Sequence, residues 1–122
     1  MKTQQSRKGA FTLVEIMIVV AIIGLLAAIA IPNFAKARAS AQKNACIANL
    51  KQIDGAVQQW ALEQKKVATD TYALTDATLL AYMKGSLLPG GGTCPAGGTY
   101  TNGANVSASP ACSLAASQGH TL

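Results

Sequence analysis

Acidic side chains are scarce in this chain of 122 residues: there are five, Glu15, Asp54, Glu63, Asp70 and Asp76, and none after Asp76. The C-terminal stretch therefore offers no cluster of oxygen ligands for a hard cation such as calcium. Aromatic residues are 5% of the chain, and none alternates with the basic group Lys36, Arg38 and Lys43, so a platform for stacking bases is missing and nucleic-acid binding is not expected. Those three cations read as a solvated helix face. No glycine-rich loop leads into a helix to cradle phosphate, and no nucleophile stands beside a plausible base. The chain is expected to be neither an enzyme nor a cofactor carrier.

Charge is present but uneven. The formal net charge is +5, yet Lys2, Arg7 and Lys8 all lie before residue 11 with no acid among them, and the remaining residues hold seven basic and five acidic side chains. The basic excess is largely a leader rather than a polyanion-binding surface. Directly after it comes an apolar run over residues 11–31, FTLVEIMIVVAIIGLLAAIAI, interrupted by one carboxylate, Glu15. Such a run forms a helix of about 31 Å, which matches the hydrocarbon thickness of a bilayer. A carboxylate within a spanning segment costs about 2.5–3.5 kcal/mol at mid-helix and less near an end, so Glu15 asks for a partner. A secretory signal would place its small-residue cleavage site after the apolar segment, whereas Gly9-Ala10 precedes it, and cutting there keeps the helix. The basic flank puts the N-terminus on the cytoplasmic side and the rest of the chain outside, where disulfides are permitted.

The junction KGAFTLVEIMIVVAIIGLLAAIAIP resembles the cleavage and methylation signature of type IV prepilins and of the related pseudopilins of type II secretion and competence systems. The resemblance is strong through about Phe34, loosens to a long-helix pattern by about Gln64 and says little beyond. It implies clipping by a prepilin peptidase after Ala10, methylation of Phe11 as the new first residue, and Glu15 at the fifth mature position. The family usually has glycine immediately before the aromatic residue; here Gly9 is followed by Ala10, and a cut after Gly9 would put Glu15 sixth. The resemblance further implies an inner-membrane precursor that assembles with copies of itself, through an assembly platform and minor pilins, into a helical filament. In that picture Glu15 meets a neighbour's terminal amine, although pairing with its own amine, four residues away on the same helix face, is the plainer alternative. Gly24 and Pro32, ordinary interruptions in membrane helices, would let the segment between them loosen or extend on assembly. The calcium site of some major pseudopilins has no ligands here. The small exported part suits a major subunit, with a lean to a type II secretion-like pseudopilin; the alternative is a minor tip subunit that binds DNA, a surface or a secreted cargo.

Over residues 33–66 the pattern stays helical but turns amphipathic, with Cys46, Leu50, Ile53, Val57 and Trp60 forming one apolar stripe at spacings of four and three. The stripe is read as the seat of a C-terminal domain. The expected organisation is a leader (1–10), a membrane and filament-core helix (11–32), its amphipathic continuation (33–66) and a small exported domain (67–122). The fold class is α+β and pilin-like. A short helix is expected over 76–84, capped by Thr75 or Asp76, then a β-hairpin turning at Asn102-Gly103. That register brings Cys94 near Cys112, and a disulfide between them is the leading assignment, with Cys46 as an alternative partner. A metal site from Cys46, Cys94, Cys112 and His120 fits no usual ligand spacing and is not expected. His120 reads as a solvent-facing residue.

Overall fold

The computed structural model describes residues 9–122; the leader expectation falls mostly on residues 1–8, which lie outside the described residues. The first element is α1, Leu13–Glu63, followed by α2 (Ala77–Leu80), 3-10 turns at Lys84–Ser86 and Pro89–Gly92, β1 (Tyr100–Thr101), β2 (Ala111–Cys112) and α3 (Ala115–Gln118). The chain divides into two compact units, residues 1–36 and 37–122. The architecture is α+β, as expected: a long N-terminal helix, short helices and a two-stranded antiparallel sheet.

Helix α1 runs without a break through Gly24 and Pro32. It stops at Glu63 rather than Lys66 because Lys65 adopts a left-handed conformation, φ 53°. The Lys66 N–H then donates to the Ala61 carbonyl at 2.8 Å and the Lys65 N–H to the Leu62 carbonyl at 3.3 Å, the paired bonds of a Schellman stop.

The second unit folds around one face of α1. Cys46, Leu50, Ile53, Val57 and Trp60 are all buried, together with Tyr72, Leu74, Leu79, Met83, Cys94, Tyr100, Val106 and Cys112. Asp76 caps α2 by accepting the Thr78 N–H at 2.8 Å, and Leu79 is fully buried. The expected helix over 76–84 is shorter than the pattern suggested. Met83 is extended (φ −105°, ψ 151°), which buries its side chain in the core, and Gly85 and Ser86 turn with positive φ.

Strands β1 and β2 pair in the register Tyr100↔Cys112 and Thr101↔Ala111, with a further bridge between Thr93 and Thr99. The expected tight turn at Asn102-Gly103 is therefore wrong. A two-residue turn of that type needs positive φ at both central residues, and neither has it. Residues 102–110 instead form a loop docked on the unit. Its Val106 N–H donates to the Asp70 carbonyl at 2.9 Å, and Gln58 Nε2 donates to the Val106 carbonyl at 2.9 Å. Gly103 is needed there for close approach: a Cβ would overlap the Ala108 carbonyl, while its N–H donates to the Tyr72 hydroxyl at 2.8 Å.

Candidate functional site

Two groups of residues stand out, one in each unit. In the first, α1 opens on a reciprocal cap. The Thr12 N–H and hydroxyl both donate to Glu15 Oε2, at 2.7 and 2.9 Å, and the Glu15 N–H donates to Thr12 Oγ1 at 3.3 Å. This is a capping box, in which two N–H groups that the first helical turn would leave unpaired are satisfied by side chains. The sequence carried its signature, Thr-x-x-Glu, but the reading above treated Glu15 only as a charge. Past the cap, the segment through Ile31 is apolar all round. An 18-residue window of mean hydropathy 2.9 is long and apolar enough to cross a membrane, and none of it is buried within the chain. Leu13, Ile18, Ile23, Leu26 and Ile31 are all more than half exposed. A helix without a polar face belongs in lipid or among other apolar helices.

In the second unit, three thiols and an imidazole converge. Cys46 projects from the buried stripe of α1. Cys94 opens a turn closed by two backbone bonds, the Cys94 N–H to the Gly98 carbonyl at 2.7 Å and the Gly97 N–H to the Cys94 carbonyl at 2.8 Å. Cys112 is the inward residue of β2, beside Tyr100 on the inward face of β1. His120 is brought in by Gly119, whose left-handed conformation (φ 66°) ends α3 and reverses the chain. The expectation that His120 faces solvent is overturned: it is 1% exposed. Its Nδ1 lies 3.3 Å from Cys94 Sγ, and the donor atoms of all four residues lie within 4.8 Å of one another.

The surroundings of the thiols differ. Burial, reinforced by the neighbouring Cys94 and Cys112 thiols, pushes the Cys46 thiol up to about 12. Burial also raises Cys94, but hydrogen bonds from the Ala96 N–H and from the Cys46 and Cys112 thiols outweigh it and bring that thiol below its ordinary value. All three cysteines are free thiols. Tyr100 closes one side; its hydroxyl accepts from Asn49 Nδ2 at 2.9 Å, and burial pushes it up to about 12. Gly98 is buried, and a Cβ there would sit 2.9 Å from Cys112 Sγ.

Comparison with known proteins bears on the first group. Residues 5–31 match the prokaryotic N-terminal methylation motif. The type IV major pilin protein PilA of Myxococcus xanthus is 60% identical over 45 residues, 37% of this chain and 20% of that protein. A fimbrial protein of Pseudomonas aeruginosa is 35% identical over 88 residues, 72% of this chain and 56% of that protein. The type II secretion system core protein G of Klebsiella pneumoniae is 31% identical over 68 residues, 56% of this chain and 49% of that protein.

The matched motif and these relatives support the prepilin and pseudopilin family for this chain. The chain spans from a fifth to just over half the length of these relatives. No solved structure matches it. Gly9, Ala10 and Phe11 fall inside the matched motif and are exposed ahead of α1, and Glu15 sits in its first turn. Gly24 has open space around its Cα. The thiol cluster lies in residues 37–122, apart from the matched motif. Cys46 was legible there as a stripe position and the nearness of Cys94 to Cys112 was expected, while the delivery of His120 to the thiols was not.

Proposed function

We propose that this chain is a repeating structural subunit of a type IV pilus-like filament, made as an inner-membrane precursor, clipped after Ala10 by a prepilin peptidase and methylated on Phe11. The observation that carries the reading is the pairing of an all-round apolar, unburied helical segment with a single carboxylate in its first turn, inside a matched methylation motif. In the bilayer, lipid covers the apolar side chains. In the filament, the same segments of neighbouring subunits replace it, and residues 37–122 coat the outside.

Glu15 supplies the register. Oε2 is engaged by Thr12 of its own chain, and the carboxylate keeps lone pairs for the terminal amine of an adjacent subunit. Each charge then offsets the other's desolvation, so that only the correct axial stagger avoids an unpaired ion among apolar side chains. The relatives of pilin and of secretion type support this shared reading equally. An assembly platform and minor pilins are its implied partners; DNA is not among them.

The test is Glu15→Ala, followed by separating membrane-embedded from assembled protein. The proposal expects normal insertion with assembled protein lost. Assembly at the unsubstituted level would contradict it.

A further inference from the structure

The buried group Cys46, Cys94, Cys112 and His120 has no part in filament assembly as argued above, and core packing alone does not account for it. Cysteine packs well as a small hydrophobe. Four residues drawn from a helix, a tight turn, a strand and a reversed tail do not need to direct all their donor atoms at one point to do so. Yet those atoms lie within 4.8 Å of one another. A tetrahedral zinc with Zn–S distances of about 2.3 Å has ligand atoms about 3.8 Å apart, so the four need contract only slightly around an ion.

We propose that Cys46, Cys94, Cys112 and His120 form a structural zinc site, binding through three thiolates and His120 Nδ1. The immediate surroundings suit a thiolate site. The Ala96 N–H points at Cys94 Sγ, 3.4 Å away, within the turn that Gly97 and Gly98 close. Backbone N–H groups directed at sulfur are the outer partners that orient and stabilise a metal-bound thiolate. Gly98 leaves Cys112 Sγ room that any side chain would take.

The charges balance. One Zn²⁺ displaces three thiol protons and accepts a lone pair from the neutral imidazole, which leaves the centre with a charge of minus one. Lys43 Nζ stands beside the turn that delivers His120, 3.1 Å from where a Cβ on Gly119 would be. All four positions of the ion are filled by protein, so the site holds structure together and has no open position for chemistry. It ties α1 to the turn at 94–98, to β2 and to the tail, in a unit whose core is small. A disulfide between any two of the cysteines would use only half of this arrangement and leave a buried thiol beside a buried imidazole.

The experiment is elemental analysis and intact mass of the full chain, extracted in detergent without added reductant and freed of loosely held metal, together with cobalt titration of the chelator-treated, reduced protein. The expected result is one zinc per chain, the visible bands of tetrahedral thiolate-bound cobalt, and thiols that react with an alkylating reagent only after chelation. His120→Ala and Cys112→Ser are expected to lower zinc content severalfold. If either variant fails to fold, the cobalt spectrum of the unsubstituted chain still decides. A metal-free chain whose mass is two hydrogens short, as a Cys94–Cys112 disulfide requires, would overturn the proposal. So would cobalt binding without thiolate bands, or zinc content unchanged in both variants.

Discussion

The Thr12 N–H donates to Glu15 Oε2 at 2.7 Å while the Thr12 hydroxyl accepts the Glu15 N–H at 3.3 Å, so the carboxylate proposed to set filament register also starts the helix that carries it. The two roles separate by substitution. Glutamine still closes a capping box but has no charge. Glu15→Gln is expected to leave insertion intact and to lower assembled protein about tenfold or more, the effect of 1.4 kcal/mol or more. Thr12→Ala keeps the charge and loses the cap, at a cost of about 1 kcal/mol to the first turn, and is expected to assemble with a modest deficit. Quantifying assembled and membrane-embedded protein for both variants checks this.

Two glycines of the second unit respond oppositely to a methyl group. A Cβ at Gly103 would overlap the Ala108 carbonyl, whereas at Gly55, in the interior of α1, nothing lies within 4 Å. Gly103→Ala is expected to cost about 2–3 kcal/mol. Gly55→Ala is expected to gain about 0.5–1 kcal/mol from helix propensity. Thermal unfolding of the detergent-extracted chain measures both.

Leu79 is fully buried although α2 is only four residues long. Leu79→Ala removes its packing and leaves a cavity, at an expected cost of about 2–5 kcal/mol. Because the apolar window of α1 has none of its surface buried within the chain, membrane insertion should be unaffected. Limited proteolysis is expected to digest residues 67–122 faster in this variant.

Asp76 gives the second unit an acid-sensitive cap. Hydrogen bonds from the Thr78 hydroxyl and then the Thr78 N–H hold its carboxyl below the usual aspartate range. A depressed folded value means that the cap's contribution is present above the ordinary aspartate value of about 4 and is lost as pH falls through the folded value. Asp76→Asn still caps but does not titrate. Below about pH 4 the melting temperature of the parent chain should fall more steeply than that of the variant; parallel curves would contradict the assignment.

The parts of the molecule legible in sequence are those governed by period. The spacing of Cys46, Leu50, Ile53, Val57 and Trp60 places five side chains on one helical face, and all five are buried. The long apolar run needs no tertiary information either. What failed to show was set by contacts between segments without periodicity. Asn102-Gly103 carries a strong local turn signal, but its glycine serves a close approach to Ala108 instead. His120 looked exposed because nothing in its neighbours reveals that Gly119 turns the chain back toward Cys94. Ligand spacing rules describe donors presented in pairs by one local turn. Here only Cys94 comes from such a turn, so the cluster had no spacing to read.

Processing followed by assembly through α1 is tested most directly by the intact mass of the chain recovered from assembled filaments and, separately, from membranes. The chain in the filaments is expected to begin at N-methylated Phe11. A chain in both fractions that still carries residues 1–10 would rule out processing.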